Sequence, residues 1–336
     1  MSASRDASFS IGVDLGGTNL RVAAFDSEWK RLSYMALPTR VAAGPEAVAA
    51  DMAGAVRSLL GEHAPKREFR GVGVGSPGPL ELPAGKFHQP PNLPGFDGFE
   101  LRAALESALQ RPVVVECDGR AAALAEWKLG AGRLVPGDSM CMLTLGTGVG
   151  GGIVLDGKLW RGMTGMAGEN GHIALVPDGL PCGCGGRGCL EQYASATAIQ
   201  RAAKKLAASG GAPAIARLQA EEGEIAAKSL AALARSGDLQ ARDLFAELGG
   251  FLGMGLTALI NTLNLPLYVI GGGLVSAWDL FAPSMFESLR RLCYVYRLSQ
   301  PADPARPAPR ATNLVPAVLG SEAGLLGAAM LPCQND

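Results

Sequence analysis

A duplicated pattern constrains this chain more than any other feature. "FSIGVDLGGTNLRVAAFD", residues 9–26, reads as a strand over 9–15, a glycine turn at Gly16–Asn19 and a second strand over 20–26, and "SYMALPT" supplies a third strand. From residue 139 the order starts again. "SMCMLTLGTGVGGGIVLDGKLWRG" gives a strand, a threonine/glycine turn, a second strand, an Asp-Gly turn and a third strand. Helices and further strands follow each copy. In the first, a helix with proline at its start spans about 45–61. A buried strand in "RGVGVGSPGP", a helix over 99–110, the buried strand "RPVVVEC" and the helix "GRAAALAEWKLGAG" come after it. In the second, helices are expected at about 192–208, 225–236, 239–263 and 277–292, with strands in "PLYVIGGG" and "NLVPAVL" and a closing helix over 321–331. "QPADPARPAPR" reads as a loop, and 209–224 as an insertion. Two related α/β halves facing each other would leave a cleft, with a glycine turn from each half at its mouth.

The totals agree with that architecture and narrow the function. A chain of 336 residues, 48% apolar and 18% charged, can bury a sizeable core and suits two domains. The expected division is a smaller α/β domain of residues 1–118, completed by a C-terminal helix at about 320–336, and a larger domain of 119–319. With a formal net charge of −1 there is no basic excess to neutralise phosphates, so no nucleic-acid partner is expected. "MSASRDASFS" lacks the apolar stretch of a signal peptide, and no run of eighteen apolar residues occurs. A cytoplasmic protein without a membrane partner is expected. Seven cysteines, four of them scattered at 117, 141, 293 and 333, do not suggest a disulfide framework.

The turns "DLGGT" (14–18) and "TLGTGVGGG" (144–152) share a design. Glycine permits close backbone approach, and successive N–H groups can point at an anion. Gly16, Gly17, Thr18 and Asn19 on one side, and Gly146, Thr147 and Gly148 on the other, are therefore candidate phosphate contacts. Asp14 ends the first strand, placed to hold magnesium through water. Gly271, Gly272 and Gly273 form a third turn between a strand and a helix, suited to a nucleotide base or ribose. No G-x-x-x-x-G-K-[ST] occurs. G-x-G-x-x-G occurs at Gly73–Gly78 and Gly146–Gly151, but prolines follow the first and a strand follows the second, so neither opens the helix that a dinucleotide fingerprint needs.

"VDLGGTNLRVA", "GVGVGSPGPLE", "PNLPGF", "VVVECDGRAAALAE", "TLGTGVGGGIV", "GMAGENGH", "CGCGGRGCLE" and "VIGGG" occur in that order over the whole chain. Together they resemble the ROK family of sugar kinases and sugar-responsive repressors. The resemblance implies an actin-like ATPase fold of two RNase H-like halves, ATP between the two glycine turns, a hexose deep in the cleft, and a homodimer.

His172 lies ten positions before Cys182, and Cys182, Cys184 and Cys189 follow as C-x-C-x-x-x-x-C. Cys₃His is a closed tetrahedral zinc set, which points to a structural ion with no open position for substrate. The second ring nitrogen of His172 would remain for a hydroxyl. Folding the loop would bring Glu169 and Glu191 near it, and carboxylates accept hydrogen bonds from sugar hydroxyls. The matching Glu, His and Glu of the family bind the sugar. The alternative is that the glutamates are surface charges. Gly78 and Asn92 line the sugar pocket by resemblance, although Asn92 equally suits a turn.

Phosphoryl transfer to an alcohol needs a group that takes the hydroxyl proton. Asp118, at the end of a buried strand and just before a helix starting near Gly119, is the candidate, and the matching family aspartate is the catalytic base. An N-cap role is compatible with it. The family's E-N-D-A-N reads Glu116-Cys117-Asp118-Gly119-Arg120 here. Cys117 is a weaker partner for the sugar hydroxyl that the family's asparagine contacts. Arg120, if aimed into the cleft, would attract an acidic ligand or lower the basicity of Asp118. The expectation is an ATP- and magnesium-dependent hexose kinase acting on the 6-hydroxyl, with glucose first. N-acetylmannosamine, N-acetylglucosamine and fructose are alternative substrates, and polyphosphate is an alternative donor. A non-catalytic sugar sensor is the alternative of another class, and a repressor would need a helix-turn-helix ahead of the first strand.

Overall fold

In the computed structural model, which describes residues 8–334, the first sheet grows from the buried run β1, Ser8–Leu15. Phe9, Ile11, Val13 and Leu15 put large apolar side chains on one face. The other face is also buried but carries small residues, and a Cβ on Gly12 there would lie 2.2 Å from the Leu325 carbonyl oxygen. β2 (Asn19–Asp26) and β3 (Arg31–Pro38) complete an antiparallel meander, with Val13 opposite Val22 and Val22 opposite Met35. β4 (Glu68–Ser76) lies parallel to β1 on its other side. A two-residue hairpin follows, β5 (Leu80–Glu81) and β6 (Lys86–Phe87). β7 (Val113–Cys117) then joins β4 in parallel, giving the order β3-β2-β1-β4-β7.

Three helices belong to this stretch. α1 (Pro45–His63) starts on Pro45, whose missing N–H costs nothing in the first turn. α2 is Leu101–Leu109 and α3 is Asp118–Leu129.

The second sheet repeats the first. β8 (Met140–Leu145), β9 (Val149–Leu155) and β10 (Lys158–Leu159) form the meander. β11 (Leu267–Gly271) and β12 (Asn313–Pro316) add in parallel, for the order β10-β9-β8-β11-β12. The repeat read from the sequence is thus a repeat of strand order. Between the meander and β11 come α4 (Glu191–Ala194), α5 (Ala196–Ala208), α6 (Pro213–Glu222), α7 (Ala227–Arg235) and α8 (Leu239–Leu263). α9 (Trp278–Leu292), α10 (Tyr294–Ser299) and α11 (Ala323–Met330) follow. α8 is long and apolar enough to cross a membrane, at 25 residues and a mean hydropathy of 1.4 over its most apolar window. It is a core helix, because Gly249 brings its backbone against α9. A Cβ there would lie 2.2 Å from the Phe281 carbonyl oxygen.

The chain divides into two compact units. One comprises residues up to Gly130, Gly151–Gly168 and the chain from Ser321 onward; the other is Ala131–Gly150 and Glu169–Gly320. The boundary lies beyond the 118/119 position expected from the sequence. α3 stays with the first unit because it packs on α11: a Cβ on Gly327 would lie 1.7 Å from the Ala121 carbonyl oxygen. Residues 151–168 join the same unit through Gly151 and Gly152, which lie against Gly119 and Ala123 of α3.

Other differences are local. The helix expected over 192–208 is two helices, broken at Ser195, whose extended backbone (φ −108°, ψ 168°) and hydroxyl cap α5 at Ala198 N–H. The insertion 209–224 contains α6. α10 was not legible, since its cap is the Cys293 sulfur, which accepts from Tyr296 N–H at 3.4 Å. α3 begins at Asp118, one residue earlier than read.

Candidate active site

In the first unit, Leu15 and Asn19 are joined by the three-residue turn Gly16-Gly17-Thr18, closed by Gly16 N–H donating to Asn19 O at 2.9 Å. Thr39 braces it from β3's end: its N–H donates to Thr18 O and its hydroxyl to Gly16 O. Gly17, Thr18 and Asn19 are exposed. Asn92 lies against the turn, since a Cβ on Gly17 would come within 2.8 Å of its carbonyl oxygen. Gly78 is half-buried before a cis Pro79.

Asp14 is nearly buried, and its Oδ2 accepts from both Nε and a terminal nitrogen of Arg21, which also donates to Ser321 O. Arg21 thus fixes the carboxylate. Gly324, without a side chain, leaves open the space facing both Asp14 oxygens. A hard cation held through water fits such a single fixed carboxylate.

Asp118 is the first residue of α3, at the carboxyl end of the parallel strand β7, where α/β sheets present their ligand groups. It is half-buried. Its Oδ1 accepts from Gly119 N–H at 2.6 Å and from the Cys117 thiol at 3.5 Å. Arg120 does not project from α3 as a free cation. It is 1% exposed, its Nε donates to Glu116 Oε1 at 2.5 Å, and its guanidinium reaches Ala167 O at 2.7 Å. Burial and a carboxylate partner at the end of β7 mean that the condition for attracting an acidic ligand, that Arg120 be aimed outward, is not met.

The second unit carries the other turn. Gly146-Thr147-Gly148 joins β8 to β9 and is closed by Gly146 N–H to Gly148 O at 2.9 Å. Gly146 O accepts from Ala196 N–H and Thr147 O from the Thr197 hydroxyl, so the start of α5 supports the turn. Gly272, at φ +86°, lets β11 turn against Leu145; a Cβ there would meet the Leu145 nitrogen and oxygen at 2.4–2.6 Å. A cavity of about 250 Å³ results, lined among others by Gly146, Thr147, Lys228, Gly273 and Ser276. It is near the small end of ordinary ligand pockets. The structure so brings the second and third glycine turns to one cavity. Lys228, at the start of α7, and Ser276 were not found from sequence, because α7 reaches this wall from far along the chain.

His172, Cys182, Cys184 and Cys189 converge, with one ligand atom from each lying within 4.8 Å of all the others. Cys182 Sγ is 3.6 Å from His172 Nδ1, and Cys184 Sγ is 3.7 Å from Cys189 Sγ. Zinc–sulfur bonds of about 2.3 Å place tetrahedral ligands roughly 3.8 Å apart, so the donor set fits zinc. Short bridges between Ala174 and Cys189 and between Pro181 and Arg187 fold the loop. The Gly186 N–H lowers the Cys184 thiol, while burial pushes Cys189 up to about 12. A bound cation reverses the second shift, because a coordinating thiol is deprotonated.

Glu191 opens α4, and its Oε2 accepts from Val149 N–H at 3.0 Å, while Oε1 lies 3.9 Å from Cys182 Sγ. His172 Nδ1 faces the sulfurs, which leaves Nε2 on the far edge of the ring. Glu169 is exposed, at the start of the 3₁₀ turn that carries His172.

Two α/β units of one strand order, each with a three-residue glycine turn between its first two strands, define the actin-like ATPase class. Comparison with known proteins narrows this. The ROK family profile matches residues 10–335. A glucokinase of Streptomyces coelicolor is 36% identical over 97% of this chain and 98% of its own length. The crystal structure of a ROK family glucokinase from Streptomyces griseus, in complex with glucose and AMPPNP, is 34% identical and superposes with a TM-score of 0.77 over 97% of this chain and all of that one. An N-acetylmannosamine kinase of Escherichia coli is 31% identical over 96% of this chain and 97% of its own length. The chain belongs to the ROK family.

Proposed function

We propose that this chain is an ATP-dependent hexose kinase that phosphorylates the 6-hydroxyl of glucose. The observation that carries the reading is Asp118: a half-exposed carboxylate at the carboxyl end of β7, oriented by the Gly119 N–H. The glucokinase relatives at this identity, one of them solved with glucose and an ATP analogue, support it.

Asp118 takes the proton of the attacking hydroxyl as its oxygen bonds to the γ-phosphorus. The bond from the γ-phosphorus to the β–γ bridging oxygen breaks, and ADP leaves. The amides of the turns at Gly16–Thr18 and Gly146–Gly148 stabilise charge on the phosphates, and Lys228, Gly273 and Ser276 line the nucleotide cavity. Asp14, held by Arg21, would hold magnesium through water, and the ion would supply charge neutralisation for the phosphates. Glu169, His172 Nε2 and Glu191 accept or donate to sugar hydroxyls, with Asn92, Gly78 and Cys117 as further contacts. A zinc ion on His172, Cys182, Cys184 and Cys189 would be fully coordinated and supply no step; it would hold His172 and the chain leading to Glu191.

Cys117, in place of the family's asparagine, gives the acceptor site a weaker hydrogen-bonding partner, which favours testing N-acetylmannosamine beside glucose. The experiment is ADP release from ATP with magnesium against glucose, N-acetylmannosamine, N-acetylglucosamine and fructose, with polyphosphate as an alternative donor. Turnover with glucose above the others supports the proposal. No turnover with any sugar, from folded zinc-loaded protein, contradicts it.

A further inference from the structure

The largest fully buried side chain described in the molecule is a charged one, Arg120. Its partner, Glu116 on β7, has no solvent exposure. Glu116 shares its carboxylate between two guanidiniums: Oε1 accepts from Arg120 Nε at 2.5 Å, and Oε2 from Arg161 Nε at 2.7 Å. Cys117 N–H donates to Oε1 as well, at 2.9 Å. The Arg120–Glu116 pair is buried, while Arg161 is partly exposed; a buried ion pair contributes more to geometry than to stability.

The geometry it fixes is that of one loop. Arg161 begins the glycine-rich segment 161–168, and Arg120 donates to the Ala167 carbonyl near its end at 2.7 Å. Within the segment, Ala167 N–H donates to Arg161 O at 3.0 Å, and Gly162, Gly165 and Gly168 have positive φ. Three such glycines give this segment many alternative paths. The charged cluster removes them, because both ends of the loop are tied to the strand end that leads, two residues on from Glu116, into Asp118. Glu169 is the residue after Gly168. An asparagine side chain is too short to bond Glu116 and at the same time donate to the Ala167 carbonyl, as the guanidinium does.

We propose that Arg120 is a positioning residue for sugar recognition: through Glu116 and the Ala167 carbonyl it locks the 161–168 loop and so sets where Glu169 meets the hexose. This rests on the sugar-kinase reading. In Arg120→Asn, Glu116 keeps Arg161 and the Cys117 N–H, so the fold survives. Arg120→Lys can keep the ion pair and loses the fork that reaches Ala167.

Two measurements test this. Steady-state kinetics of Arg120→Asn should show the glucose KM raised about tenfold or more, with kcat changed less than threefold and the ATP KM unchanged, and Arg120→Lys should fall between. Hydrogen exchange, which needs no turnover, should show faster exchange at residues 162–168 in Arg120→Lys at a Tm close to the wild type. A glucose KM within twofold of wild type in both variants, or unchanged exchange in the loop, overturns the inference. If wild type itself turns over no sugar, the kinase reading fails, and the exchange result alone decides whether Arg120 locks the loop.

Discussion

Gly148→Ala separates two roles of the second glycine turn. Gly148 is not at positive φ, so alanine fits its backbone, and only its surroundings matter. A Cβ there would lie 2.2 Å from Glu191 Oε2 and 3.0 Å from Cδ. The obstructing atoms are the end of a flexible side chain, so the carboxylate swings aside and the fold persists. What is lost is the bond from Val149 N–H to Glu191 Oε2, now 3.0 Å. On the proposed function Glu191 accepts from a sugar hydroxyl; a hydrogen bond to a charged group is worth about 1.5–3 kcal/mol, so moving the carboxylate off that hydroxyl should weaken glucose binding by about 10- to 100-fold. The assay is the glucose KM at saturating ATP, together with glucose affinity by calorimetry and Tm by scanning fluorimetry. Glu191→Gln, which keeps a carbonyl acceptor for Val149 N–H, should cost less. A glucose affinity within twofold of wild type in Gly148→Ala would refute the reasoning, since that glycine would then not be serving Glu191.

Other consequences are as direct. Purified protein should carry about one zinc per chain; Cys184→Ser should lower that content, and chelators should strip the metal faster as pH falls, because protons compete for thiolates and imidazole. Lys228→Ala should raise the ATP KM about fivefold, the size of one exposed charge contact of about 1 kcal/mol, and leave the glucose KM unchanged. Gly327→Ala should destabilise by at least about 1–3 kcal/mol, because the Cβ would meet backbone that cannot yield, whereas Gly61→Ala on α1, with nothing near its Cβ, should leave Tm equal or higher. Differential scanning calorimetry compares the pair.

Much of the fold was legible because its signals are local. Strands such as β7 and β11 read as short apolar runs, each meander carries a glycine turn between its first two strands, and α1 announced itself by Pro45. The cysteine loop was legible because one short segment holds three of its four ligands. Arg120 shows what was not. The sequence supplies its charge, but its direction depends on Glu116 at the end of the preceding strand and on the Ala167 carbonyl of a loop far along the chain. Lys228 and Ser276 line one cavity because the start of α7 and the segment after β11 meet beside the Gly146 turn, a tertiary contact with no local signal. Arg21, by contrast, was within reach: it faces Asp14 across the first hairpin, a pairing that the meander register implies.

Single-turnover phosphorylation of glucose by Asp118→Asn tests the central claim most directly. Asparagine keeps an acceptor for the Gly119 N–H and cannot take the hydroxyl proton. The account predicts a rate lower by about 10²–10⁴-fold, with glucose and ATP affinities within a few-fold of wild type. A rate within tenfold of wild type would show that another group takes the proton, and the assignment of Asp118 would be wrong.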